Sequence, residues 1–303
     1  MNTGYELLNQ HSVANIEPLY QPNTIKKWNE LFDEVFSKQT TKRRYVFADD
    51  LYKLNLLDEI FTSKLQSLLY QLIPDAELYH CHAYEIAANQ SKPHIIGDNN
   101  LSGWHRDIDC KHDFGKSNLQ HISLFVYLTD VSEGNGYFEI SNKRFSLLPS
   151  FGNTANCYKL FGNKGQCFLF DRKAFHRASP NTSKSARRVL KISIQSKSLF
   201  NHKLNTDAFI AVKKQLNNNQ AFLRQLFGDK NINTQVVDSY AKQHLSSDKF
   251  SGELPNESYQ ENFSLMQNYR RYIRDLRYAS KRLMIKYLQL NDAKTPISKI
   301  KNN

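Results

Sequence analysis

Between Leu78 and about Gln195 the chain is written in short runs rich in Val, Ile, Tyr and Phe, broken every few residues by Gly, Asn or Pro. This texture constrains the fold more than any other feature. Runs too short for helices, separated by turn-formers, read as an antiparallel sandwich or barrel. The alternation is clearest from Leu119 to Leu128. There Ile122, Leu124, Val126 and Leu128 alternate with His121, Ser123, Phe125 and Tyr127. On a strand these two sets point to opposite faces. One face is aliphatic core; the other is mixed and can line a pocket, together with His80 and His82. Further strands are expected at Tyr137–Ile140, Gln166–Phe170 and Val189–Gln195.

Helical periodicity flanks this region. Thr24 can cap a helix running to Lys38, with Ile25, Trp28, Leu31, Phe32, Val35 and Phe36 at helical spacing. A second helix is expected between Leu57 and Leu72. After Leu199 the chain becomes helical again, ending in a long helix from about Asn256 to Leu290. Its apolar stripe is Phe263, Met266, Ile273, Leu276, Leu283, Tyr287 and Leu290. Charge is concentrated there: of the net +12, residues 201–303 carry 17 Lys/Arg against 9 Asp/Glu. Such an excess invites acidic partners, whether nucleic acid, an anionic membrane surface or an anionic small molecule. The plain reading is a helix packed on the sandwich with a solvated basic face. The sharper one is contact with an anionic surface through residues 270–286.

Composition removes several classes. With 40% hydrophobic and 12% aromatic residues the chain can bury a core, so wholesale disorder is excluded. No apolar run reaches the roughly 18 residues of a membrane span, and the start does not read as a signal peptide. The 4 cysteines include no CxxC pair, so neither a disulfide framework nor a zinc ribbon is expected. A reduced cytoplasmic setting is the default, with peripheral membrane contact as the variant the basic helix allows.

His105-Arg106-Asp107 is the one His-x-Asp in the chain. Alone it is weak, because 10 His and 17 Asp in 303 residues give about half an occurrence by chance. Its setting adds weight: on an extended segment, residues two apart point the same way, so imidazole and carboxylate converge. His176 is the best second imidazole. It follows the apolar run Cys167-Phe168-Leu169-Phe170 and precedes a turn at Ser179-Pro180-Asn181. Two imidazoles and one carboxylate leave open coordination sites, the ligand set of non-haem Fe(II) oxygenases. Eleven residues beyond His176 stands Arg187, at the start of an apolar strand, where a guanidinium can grip a carboxylate. Arg188 is the neighbouring alternative, and alternation lets only one of the two face inward. Trp104 is expected to pack beside the metal. Lys92, His94 and Asn99 lie on a stretch suited to a lid, and Cys110 lies near the site.

These residues carry a resemblance. Gly103-Trp104-His105-Arg106-Asp107, then Leu128-Thr129-Asp130 with Gly134-Asn135-Gly136, then Phe170-Asp171 through His176, Pro180-Asn181 and Arg187 resemble the phytanoyl-CoA dioxygenase family over roughly Leu78 to Lys197. The resemblance implies a double-stranded β-helix (a jelly-roll, cupin-like, mainly β core) and an Fe(II)- and 2-oxoglutarate-dependent dioxygenase that consumes O2. It implies His105, Asp107 and His176 as iron ligands and Arg187 as the residue holding the distal carboxylate of 2-oxoglutarate. Where the family often shows Pro-Gly-Ser-His, this chain reads Ile140-Ser141-Asn142-Lys143. Halogenating relatives replace the ligand carboxylate with a small residue; Asp107 is present, so the resemblance implies hydroxylation or a related oxidation.

The domain expectation is a dioxygenase unit over 1–200, with its β-helix core at about 78–197, and a helical, basic extension over 201–303 packed on it. The leading function is hydroxylation of a C–H bond in a small-molecule or lipid- or carrier-linked metabolite, with release of succinate and CO2. The rivals are an oxygenase of macromolecules, held by the basic C-terminal helix, and a non-catalytic binding module.

Overall fold

In a computed structural model of the chain, the described residues are 3–41, 43–93, 103–107, 119–144, 154–197, 206–217, 220–229 and 250–262, with the single positions 273, 276, 277 and 280. Among the described residues ten strands form two antiparallel sheets. The larger sheet takes β1 (Val13–Ile16), β2 (Arg43–Phe47), β3 (Ala76–Ile86), β4 (His121–Tyr127), β7 (Cys167–Asp171) and β9 (Arg187–Ser196), in the order β1-β7-β4-β9-β3-β2. The smaller sheet takes β5 (Phe138–Arg144), β6 (Thr154–Leu160), β8 (Ala174–Ala178) and β10 (Glu257–Asn262), in the order β10-β6-β5-β8. Chain-adjacent strands β7 and β8 fall in different sheets, so the connection between them turns the corner of the sandwich. This is the jelly-roll-type β-helix expected from the sequence.

The two faces of the large sheet bury different things. Leu124, Val126, Leu169, Leu190, Ile192 and Ile194 face the helical layer. That layer is α1 (Gly4–His11), α2 (Pro22–Ser37), α3 (Ala48–Lys53), α4 (Leu57–Ile60), α5 (Ser63–Leu72), α6 (Thr206–Lys213) and α7 (Ala221–Leu226). The opposite face carries Phe125, Tyr127, Phe168, Phe170 and Val189, which meet Phe138, Ile140 and Leu160 of the small sheet. Phe125 lies 5.0 Å from the Phe138 ring and 5.2 Å from that of Phe168. Such ring pairs add about 0.5–1.5 kcal/mol each beyond area burial.

Helix α2 buries Ile25, Trp28, Phe32 and Phe36, the spacing of one helical face. It starts earlier than Thr24: Gln21 is the N-cap and Pro22 opens the first turn, where a missing N–H costs nothing. The span from Leu57 to Leu72 is two helices. Phe61 leaves helical geometry, and the Thr62 hydroxyl accepts from the Leu65 N–H to start α5. The long C-terminal helix is corrected at its beginning. Residues 257–262 are strand β10, paired with β6 from Glu257 opposite Lys159 to Asn262 opposite Thr154. An open sheet edge offers a ladder of hydrogen bonds that local periodicity does not reveal. Positions 273, 276, 277 and 280 are helical; the rest of the expected 263–290 helix lies outside the described residues. Among the described residues no helix is long and apolar enough to cross a membrane.

Candidate metal centre and the interior pocket

His105 and His176 are brought together by backbone pairing. His176 lies in β8, and the segment 103–107 runs beside it: the His105 N–H donates to the His176 carbonyl at 3.0 Å and the His176 N–H to the His105 carbonyl at 2.9 Å. Gly103, at φ 86°, turns its own carbonyl back to His105 Nδ1 at 2.8 Å. The Ala174 carbonyl does the same for His176 Nδ1 at 2.9 Å. A carbonyl can only accept, so both rings carry their proton on Nδ1. Both Nε2 atoms are therefore turned toward a third partner, the arrangement that orients metal-binding imidazoles.

That partner space is occupied by Asp107. Its Oδ1 lies 3.5 Å from His176 Nε2 and 4.0 Å from His105 Nε2. One ligand atom from each of the three residues falls within 4.8 Å of the others, close enough for one ion to touch all three. The spacing of the His-x-Asp thus converges as the sequence predicts. Among the described residues this is the one cluster of His, Cys, Asp or Glu able to hold a metal.

The electrostatics suit a divalent cation. Burial, with His176 nearby, pushes the His105 pKa down to about 4, so the imidazole is neutral and free to ligate. Burial alone would raise the Asp107 pKa; Lys191, then His176 and Arg172, overcome it and hold the carboxylate well below its usual range. Lys191 Nζ donates to Asp107 Oδ2 at 2.9 Å, and Arg172 Nε approaches the same oxygen at 3.6 Å. One carboxylate oxygen faces the imidazoles and the other is held from behind. The His176 ring is wedged against Phe138 and Phe170, at 5.4 and 5.1 Å.

Arg187 and Arg188 separate at the start of β9. Arg188 points to the helix side, where Nε donates to Glu85 at 2.7 Å and Nη2 to Asp33 at 2.6 Å. Arg187 points into the sandwich and is 0% exposed. Its guanidinium lies over the rings of Tyr84 and Tyr127, at 5.9 and 5.5 Å. None of its nitrogens makes a hydrogen bond of ordinary geometry among the described residues. A buried charge in that state is costly unless something anionic joins it. Gly136, at φ 66°, passes close by: a Cβ there would meet Asn181 Cβ at 3.2 Å and Arg187 Cδ at 3.5 Å. Asn181 is buried and ties Ile86, Ala87 and Ser185 carbonyls together. The Gly134-Asn135-Gly136 and Pro180-Asn181 pieces are therefore adjacent turns under the arginine, with Asn135 bridging Asn181.

The interior face also holds groups that sequence reasoning missed. Lys191 shares the inward parity of Arg187, and a Lys at an inward position of an otherwise apolar strand was the available signal. Arg172, in the corner between β7 and β8, carries no such signal. Arg43 enters from β2 and stacks on Tyr45 and Tyr84 at 4.7 and 5.0 Å. His80, His82 and His121, expected as pocket lining, are all buried. Trp104 is buried, with the Arg177 guanidinium over its ring at 4.6 Å. Lys92 is described and exposed; His94, Asn99 and Cys110 lie outside the described residues.

No protein-family model matches the sequence, and no curated protein sequence does. The fold is matched by solved structures. The non-heme alpha ketoglutarate dependent epimerase SnoN from nogalamycin biosynthesis superposes with a TM-score of 0.52 at 13% identity, over 84% of this chain and 94% of that one. The non-heme alpha ketoglutarate dependent carbocyclase SnoK from the same biosynthesis gives 0.50 at 13% identity, over 71% and 90%. AviO1 from Streptomyces viridochromogenes Tue57 gives 0.50 at 15% identity, over 66% and 96%. At these identities the likeness is one of fold.

Proposed function

We propose that this chain is an Fe(II)- and 2-oxoglutarate-dependent oxygenase that oxidises a C–H bond of a small metabolite, by hydroxylation, with succinate and CO2 as co-products. The observation that carries the reading is the pair of imidazoles fixed through Nδ1 so that both Nε2 atoms meet one oxygen of Asp107. His105, Asp107 and His176 would hold the metal. A two-His, one-carboxylate set leaves positions open for a chelating co-substrate and O2. Bound there, iron with 2-oxoglutarate supplies the oxidising chemistry, and the protein supplies position and exclusion of water.

The chain's own residues have definable parts. Arg187 would bind the distal carboxylate of 2-oxoglutarate through two parallel hydrogen bonds, engaging nitrogens that make no hydrogen bond of ordinary geometry among the described residues. Tyr84 and Tyr127 hold its plane. Lys191 keeps Asp107 ionised and oriented. The aromatic wall of Phe125, Phe138, Phe168 and Phe170 keeps the space behind the His176 ring dry. The finer likeness, to the phytanoyl-CoA dioxygenase family, is supported by the order of the Gly-Trp-His-Arg-Asp, Asn-Gly and His-to-Arg187 pieces around this one pocket.

The test is anaerobic titration of Fe(II)-loaded protein with 2-oxoglutarate, followed by visible absorption. A metal-to-ligand charge-transfer band is expected, and it should vanish in Asp107→Ala. Iron binding without the band would remove the 2-oxoglutarate assignment and leave a metal-binding module.

A further inference from the structure

The interior beside His105, Asp107 and His176 gathers cationic side chains. Arg43, Arg172, Arg187 and Lys191 all reach the interior, where their charges act on Asp107 or on one another. Against them stands Asp107; the next acid on β3, Glu85, is turned outward to Arg44 and Arg188. A divalent metal would take the Asp107 charge, and 2-oxoglutarate, a dianion, would balance the metal while engaging Arg187. Arg172, Lys191 and Arg43 would then face the pocket with no counter-charge among the described residues. Isolated charges are not left buried at equilibrium; they are paired or they lose their proton, and a guanidinium does not lose its proton.

Arg172 is the sharpest case. It is 0% exposed. Its guanidinium lies on the Tyr79 ring at 3.7 Å, and its approach to Asp107 is the long 3.6 Å contact. None of its three nitrogens makes a hydrogen bond of ordinary geometry among the described residues. The backbone fixes it there, because its N–H donates to the His121 carbonyl at 2.9 Å. Near it stands His80, whose ring lies 4.8 Å from that of His82. Both ring nitrogens of His82 are buried without a hydrogen bond, while His80 Nε2 meets Ser193 Oγ at 2.9 Å. Burial first, and then the neighbouring cations Arg43 and Lys191, keep His82 uncharged. Neutral imidazoles can donate and accept, which suits hydroxyl groups. These imidazoles place hydrogen-bonding groups among the Tyr45, Phe47 and Tyr84 rings on this side of the interior.

We propose that Arg172, with Lys191, forms an oxyanion subsite beside the metal ligands, and that the molecule oxidised is a small polar metabolite whose carboxylate or phosphate is held there. This rests on the oxygenase reading above. A guanidinium fixed by stacking reads such a group through two parallel hydrogen bonds. The remaining atoms of the substrate would lie along His80 and His82, and its oxidised carbon before the open metal positions.

Calorimetric titration of the full-length protein, as the anaerobic Fe(II)–2-oxoglutarate complex, tests it with methyl phosphate and propionate as separate probes. Saturable binding of methyl phosphate identifies a phosphate subsite, and saturable binding of propionate a carboxylate subsite. Arg172→Met should weaken the bound probe at least tenfold while the charge-transfer band still forms, because Lys191 still holds Asp107, and should change the affinity for 2-oxoglutarate far less than it changes probe binding, without lowering the melting temperature. Arg172→Lys, which keeps the charge, should restore most of the binding. Binding of neither probe, or equal binding by Arg172→Met, overturns the subsite. So does parallel loss of 2-oxoglutarate, which would place Arg172 in the co-substrate site. If the charge-transfer band never forms, the titration is repeated on metal-free protein. Arg172-dependent binding there keeps the subsite while the oxygenase reading falls, and its absence removes both.

Discussion

The two faces of β9 differ in whether the chain itself satisfies the charges it buries. On the helix side, Leu190, Ile192 and Ile194 are buried among aliphatic and aromatic neighbours, and the one charge, Arg188, is matched by Glu85 and Asp33. Every group there has what it needs from the chain itself. On the interior side, Arg187, Lys191 and Ser193 alternate with the same backbone, yet none of the Arg187 nitrogens makes a hydrogen bond of ordinary geometry among the described residues. Residues of one type, adjacent in sequence and both with little exposure, differ in whether the protein completes them. The incomplete face is the one that faces Asp107 and the His105–His176 pair. A natural sequence departs from local consistency where it binds something.

The largest effect that could break this comparison is at the proposed metal ligands. His176→Ala should weaken Fe(II) binding by at least about a hundredfold, more than loss of a supporting group would, and isothermal calorimetry would show it; retained binding would remove the metal assignment. On the helix side, Ile192→Ala should cost about 2–5 kcal/mol of stability, read by urea denaturation, while iron binding stays intact. A loss of iron binding without a loss of stability would show that the faces do not divide as described.

The two arginines sharpen the contrast further. Arg187→Met should weaken 2-oxoglutarate binding about a hundredfold, as loss of a paired, charge-assisted contact does, and leave the melting temperature equal or higher, since an unpaired buried charge is removed. Arg188→Met should do the reverse: about 1–3 kcal/mol of stability lost as Glu85 loses a partner, and unchanged 2-oxoglutarate affinity. Equal effects of the two substitutions on both measurements would dissolve the distinction. The smallest effect is expected at the turn under Arg187. Gly136→Ala places a side chain at φ 66° against Asn181. It should cost about 1–2 kcal/mol, seen as a lower urea midpoint, with a smaller loss of 2-oxoglutarate affinity than Arg187→Met.

Much of this was legible in the chain because it depends on neighbours in sequence. Period-2 alternation at Leu119–Leu128 placed Ile122, Leu124 and Val126 on the aliphatic face and His121, Phe125 and Tyr127 on the other, as the structure does. The spacing of His105 and Asp107 put both on one side of an extended segment. The Ile25 to Phe36 stripe gave a helix and its buried face. Alternation also required that Arg187 and Arg188 part company.

Which arginine turns inward was decided only by tertiary structure. Parity along one strand is relative; pairing of β9 with both β3 and β4 makes it absolute, by fixing which face meets the small sheet. Arg172 was out of reach for the same reason. It sits at the corner between β7 and β8, and only closure of the sandwich brings it to Asp107 and Tyr79. The strand at Glu257–Asn262 depends on an edge of β6 that lies about a hundred residues earlier in the chain. Sequence carries the periodicities that short-range sterics impose. The identity of the face, and the company a buried charge keeps, come from long-range pairings that no local pattern encodes.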